Sequence, residues 1–179
     1  MKKTNSNGLR LVLIAMFLLI GNVNAQSGVM VKNEQEVHLK RSSILVSDLE
    51  KSLEVYRGVL GFKVASIVES EKESYAYQVF RIPKEANMRV ATLNSSDQNR
   101  IINLKEVTGI SLPKPTSSPY MSTVLIKVND LHTVMKKIKH LGLELTEEHT
   151  VKGTRLSYKE QSFVDPDGHL VALYEILNK

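Results

Sequence analysis

The chain repeats one plan twice, and that repetition limits its folds more than any other feature. Ser43–Val64 reads SILVSDLEKSLEVYRGVLGFKV and Thr123–Leu145 reads TVLIKVNDLHTVMKKIKHLGLEL. Each copy is an alternating apolar segment, a polar step ending in Asp-Leu, an amphipathic stretch, then Leu-Gly and a second apolar segment. Val46, Asp48 and Leu49 align with Val128, Asp130 and Leu131 at an offset of 82, and Leu60-Gly61 align with Leu141-Gly142 at an offset of 81. The first amphipathic stretch therefore carries one extra residue. A repeated supersecondary unit with a single apolar face gains a core by packing against its own copy.

Local patterning assigns the parts. Alternation with period 2 predicts strands, and Leu49, Leu53, Tyr56 and Leu60 recur at helical spacing, as do Leu131, Val134, Met135, Ile138 and Leu141. Ser47, with Glu50 three residues on, forms a capping box in the first copy, and Asn129 or Asp130 caps the second helix. Gly61 and Gly142 suit left-handed helix ends. Further strands are expected over Phe62–Val68, Tyr75–Ile82 and Met88–Leu93, the last running on past a polar loop to Ile101–Glu106. In the second half they are expected over Leu143–Thr146, Leu156–Val164 and His169–Ile176. The fold class is α+β: two βαβββ modules over 39–110 and 120–177, joined by the proline-containing linker 111–119.

The N-terminus has a separate logic. Lys2, Lys3 and Arg10 precede an apolar run from Leu11 to Ile20, and small residues lead to Ala25. This order describes a secretory signal peptide over 1–25, followed by an extension over 26–38, and it places the protein outside the cytoplasm, in the periplasm. Ten apolar residues are short for a membrane-spanning helix, so no membrane association is expected after cleavage. The leader's three cations supply three of the five net positive charges. No basic stripe with interleaved aromatics stands out, so nucleic acid is not an expected partner. The absence of cysteine excludes disulfides, thiolate metal sites and cysteine nucleophiles.

Val46-Ser47-Asp48-Leu49-Glu50-Lys51-Ser52, Tyr56-Arg57, Leu60-Gly61-Phe62 and Asp165-Pro166-Asp167-Gly168 occur in an order that resembles the vicinal oxygen chelate superfamily, which includes glyoxalase I, bleomycin-resistance proteins and extradiol dioxygenases. The resemblance covers about Leu39 to Leu177 and implies curled mixed sheets forming a cup. In metal-using members of that family, strands of the cup supply His or Gln and Glu to a divalent ion. Carried over one by one, those positions hold Arg41, Asn103, Thr123 and Ala172 here. A guanidinium has no lone pair to give and a methyl group has no donor atom, so no metal ligands are expected at these positions. The carboxylates and imidazoles closest in sequence, His38, Glu106, His169 and Glu175, stand at odd offsets, on the opposite strand face.

The same alternation turns Arg41, Ser43 and Leu45 toward the cup, with Met121, Thr123, Leu125 and Lys127 from the fifth strand and Leu170, Ala172 and Tyr174 from the last. The expected ligand site is thus Arg41, Asn103, Thr123, Ala172 and Tyr174. Its Arg fork suits a small organic molecule bearing a carboxylate or phosphate, bound with no cofactor. Two other readings stay open. One is a lyase, isomerase or dioxygenase with one divalent metal ion at a displaced site. The other is an interaction module serving a partner or a homodimer.

Overall fold

A computed structural model describes residues 39–113 and 118–177. The leader 1–25, the extension 26–38 and part of the linker lie outside the described residues. Among the described residues, eight strands form two four-stranded sheets. In the first module, β1 (Ser42–Val46) leads through α1 (Leu49–Leu53) and a π-helical turn (Glu54–Val59) to β2 (Lys63–Glu69), α2 (Tyr75–Val79), β3 (Asn87–Asn94) and β4 (Ile102–Thr108). In the second, β5 (Val124–Lys127), α3 (Leu131–His140), β6 (His149–Lys152), β7 (Ser157–Val164) and β8 (Leu170–Leu177) follow. The strand orders are β1-β4-β3-β2 and β5-β8-β7-β6, the same arrangement twice, and neither sheet is closed. β1 pairs with β4 and β5 with β8 in parallel, and the other pairings are antiparallel.

Register confirms the repeat at residue level. Ser43 stands across from Asn103, and Leu125 across from Ala172. Asn103 and Ala172 are therefore equivalent positions, as are Glu106 and Glu175. Both glutamates turn away from the cup and cap helices. Glu106 accepts from the Leu49 amide at 2.9 Å, and Glu175 from the Leu131 amide at 2.8 Å. Each supplies an acceptor to a helix N-terminus, where the amides have no intrahelical partner.

The extra residue of the first helix is absorbed by the π turn. The amide of Leu60 bonds the carbonyl of Val55 at 2.9 Å, five residues back. One added residue thus widens a turn without rotating either end of the helix out of register. Both helices then end at left-handed glycines, Gly61 at φ 79° and Gly142 at φ 75°.

One core serves both modules. Ile44, Val46, Leu49, Leu53 and Tyr56 pack in one cluster with Leu131, Ile138, Phe163, Val171 and Leu173. The strand residues among them, Ile44, Val46, Phe163, Val171 and Leu173, occupy the helix-facing side of the two sheets, as alternation predicts.

Four local expectations are corrected, and one of the two cap candidates of the second helix is decided. The first helix is capped by Asp48, whose side chain accepts from the Lys51 amide at 3.1 Å; Ser47 instead gives its amide to Asp167 at 2.7 Å, and Glu50 pairs with Arg89 at 3.7 Å. Tyr75–Ile82 is not a strand. Ser74 accepts from the Ala76 amide and starts α2, which buries Tyr77 rather than an alternating face. Met88–Leu93 and Ile101–Glu106 are separate strands of one antiparallel pair. Leu143–Thr146 is reduced to a bridge between Leu145 and Phe163, and the edge strand is His149–Lys152. In the second helix, Asp130 is the cap, accepting from the Thr133 amide at 2.9 Å.

The β6–β7 hairpin turns at Gly153, whose amide bonds the Leu156 carbonyl at 3.1 Å. A methyl group at Gly153 would collide with that carbonyl oxygen. Gly153→Ala is expected to destabilise the protein by about 1 kcal/mol or more, read as a lower urea midpoint with an unchanged m value.

Candidate functional site

The buried polar residues among those described fall into two groups. Ser52 and Asp165 lie where the modules meet, and Thr92, Asn103 and Lys105 share the cup-facing side of the first sheet. Buried polar side chains cost free energy unless bonded, so each group calls for a reason.

The first group is a clamp. The Asp165–Gly168 turn of the second module reaches helix α1 and the π turn of the first. The Tyr56 hydroxyl donates to Asp165 Oδ2 at 3.1 Å, and Asp165 Oδ1 accepts the amides of Asp167 and His169 at 3.0 and 2.8 Å. Asp167 accepts the Ser47 amide, and His169 Nε2 sits 2.8 Å from the Leu45 carbonyl. Burial raises the Asp165 carboxyl above the usual range against the pull of its hydrogen bonds. Burial, and then the charge of Asp165, hold the Tyr56 hydroxyl well above its ordinary value. The Asp-Pro-Asp-Gly turn is thus an intermodule fastening.

The second group is the candidate ligand site. Thr92 stands across from Asn103 and Val90 across from Lys105, with Leu45 on the other side of Lys105. With its amide oriented to satisfy its neighbours, Asn103 accepts from Arg41 Nη1 at 3.0 Å and donates to Thr92 Oγ1 at 3.2 Å. Arg41 and Asn103, both expected in the site, are therefore in contact. Lys105 is 8% exposed. Burial, and then the neighbouring Arg41 charge, lower its pKa. No carboxylate pairs with Arg41 or Lys105 among the described residues. Two cations without a counter-charge on one strand face make a site short of an anion.

Lys105 was not among the expected site residues. Its signal was available: it lies two residues beyond Asn103, on the same face by alternation.

The remaining expected residues do not bond to the Arg41–Asn103 pair. Thr123 is exposed and donates to the Leu170 carbonyl at 3.1 Å. It shares with Arg41 an open cleft of about 1230 Å3. Ala172 and Tyr174 are half-buried on β8, across from Ser162 and Glu160, and do not join the Arg41–Asn103 pair. The cup of the first module is also partly filled. Tyr77, Ile82 and Phe80, from α2 and the turn after it, pack on Met88, Val90, Val107 and Leu45, so the pocket is smaller than an empty curled sheet would leave.

A divalent ion finds no donor set at the corresponding positions. Arg41 is a cation engaged with Asn103, Ala172 carries no donor atom, and Thr123 is committed to a backbone carbonyl. Elsewhere, no three His, Asp or Glu side chains converge as metal ligands among the described residues.

Comparison with known proteins gives one consistent result. The family model described as Glyoxalase/Bleomycin resistance protein/Dioxygenase superfamily matches residues 37–173. A glyoxalase family protein from Bacillus cereus has a similar structure, with a TM-score of 0.66 at 18% identity, covering 83% of this chain and 99% of that one. The manganese-bound fosfomycin resistance protein of Listeria monocytogenes is similar at a TM-score of 0.51 and 15% identity, over 80% of this chain and 93% of that one. An antibiotic binding protein from Streptomyces sp. is similar at a TM-score of 0.50 and 18% identity, over 81% and 100%. No curated protein sequence matches the chain.

Proposed function

The chain belongs to the Glyoxalase/Bleomycin resistance protein/Dioxygenase superfamily, and on that premise we propose that it binds a small organic anion on the cup face of its first module, without a metal ion. The observation that carries this reading is the pair of cations, Arg41 and Lys105, set on one face with no carboxylate beside them. Arg41 is the primary contact. Its guanidinium is steadied by Asn103, leaving other N–H groups for a carboxylate, which a planar fork binds through two parallel bonds. Asn103 in turn is held by Thr92. The apolar side chains of Leu45, Val90 and Phe80 suit the body of the molecule. An antibiotic binding protein with a similar fold supports a binding role as one within the fold's range.

The test is a thermal-shift panel of small carboxylates and phosphates, run beside zinc, nickel, manganese and iron. An anion should raise the melting temperature of the wild type, and Arg41→Ala should weaken that anion's binding tenfold or more, about 1.4 kcal/mol. An undiminished shift in Arg41→Ala, or stoichiometric metal in place of anion binding, would overturn the reading.

We also place the mature protein outside the cytoplasm, on the basic, apolar and small-residue order of residues 1–25. N-terminal sequencing of the protein from the periplasmic fraction should begin at Gln26; an intact Met1 recovered with the cytoplasm would contradict export.

A further inference from the structure

Lys105 has a feature that anion binding alone does not need. Its side chain projects from the middle of a sheet, between Leu45 on β1 and Val90 on β3, and the cluster around it includes Met88, Val107 and Tyr77. Among the described residues it has neither a hydrogen-bond nor an ion-pair partner. An ammonium on a flexible stem ordinarily turns outward to water. This one stays 8% exposed, beside a guanidinium that repels it.

Amines become nucleophiles when burial and a neighbouring cation together favour the unprotonated form. The nitrogen is not sealed off. No buried side-chain nitrogen or oxygen among the described residues lacks a partner, so an unpaired amine must keep some contact with solvent. Leu45, the β1 neighbour of Lys105 in the sheet, lines a cleft of about 920 Å3 together with Phe80 and Leu112. Arg41, just before β1, reaches across to Asn103, and Lys105 lies two residues beyond Asn103 on β4, about 6.6 Å along the strand by rise. Arg41 and Lys105 thus flank Asn103 on one sheet face, the guanidinium bonded to the amide and the amine one alternation further on.

We infer that Lys105 is a carbonyl-reactive amine, and that the site captures 2-oxo acids as a Schiff base, with Arg41 holding the carboxylate. This inference rests on the anion-binding reading for its first contact. The neutral amine adds to the keto carbon, forming a C–N bond. A proton passes from nitrogen to oxygen, and the oxygen leaves as water, giving an imine that takes up a proton to become an iminium. No oxidant or reductant is consumed.

The experiment is reductive trapping of the full chain with pyruvate and cyanoborohydride, whose hydride converts the iminium into a stable secondary amine. Peptide mass mapping should place the adduct on Lys105, at least tenfold above any of the exposed lysines, and Lys105→Arg should lose it. The trapping rate should fall less steeply from pH 9 to pH 7 at Lys105 than at exposed lysines. Thermal shift with lactate, which has the carboxylate and no keto group, runs in parallel. A shift with lactate but no preferential label on Lys105 overturns the Schiff base and leaves anion binding standing. No shift with either acid and no label overturns both. Label on Lys105 that persists undiminished in Arg41→Ala overturns the role assigned to Arg41.

Discussion

Replacing Asp165 with alanine is expected to lower the unfolding free energy by about 3 kcal/mol, from the loss of a charged acceptor that serves several buried donors. The carboxylate receives the Tyr56 hydroxyl from the first module and two amides of its own turn. Tyr56 is completely buried, so its hydroxyl would lose its partner with no water to replace it. Asp165→Asn keeps one acceptor oxygen and is expected to lose less. Because the contact spans the two modules, urea unfolding of the alanine variant should separate into two transitions, or move to a distinctly lower midpoint. A change below about 0.5 kcal/mol would mean that the shared apolar core, and not the turn, joins the modules.

The same contact has a pH signature. The Tyr56 hydroxyl is held above its ordinary value near 10 in the folded chain and released to it on unfolding. A raised folded pKa contributes stability that is fully present below pH 10 and lost as pH climbs through the folded value. Tyr56→Phe, less stable at neutral pH, should therefore show a shallower alkaline loss than the wild type.

Lys105→Met has the opposite expected sign. It removes a poorly paired charge from a buried site and fills the volume with an apolar chain, and should raise the unfolding free energy by about 1–2 kcal/mol. The same variant should lose the trapped adduct. Stability gained where chemistry is lost is the expected mark of a residue kept for a site rather than for the fold. A destabilised Lys105→Met would instead assign Lys105 a structural role, its stem packing against α2.

The residues explain how much could be read in advance. Duplicated patterns and fixed offsets are local information, and the two modules, their helices and the left-handed glycines follow from them. The face assignments of Glu106 and Glu175 followed from period 2 alone, and both prove to be helix caps. In Tyr75–Ile82 two tyrosines and a valine alternate as they would in a strand, while the Ser74 cap and burial against the sheet favour a helix. Lysine on a strand is ordinarily solvated, so nothing in the local pattern marks the burial of Lys105, which lies on the sheet face where Tyr77 of α2 packs on Val90 and Val107.

The sequence by itself determined the repeated architecture, the family resemblance and the misfit of Arg41, Asn103, Thr123 and Ala172 to metal ligation, because each depends on residue type and short spacing. Tertiary structure alone decided that Asp165 fastens onto Tyr56 across 109 positions of the chain, and that α2 narrows the cup. It also decided that Arg41 and Lys105 share one face without a counter-charge. Those outcomes arise from packing between distant segments, where burial and electrostatics depend on neighbours that no local pattern names.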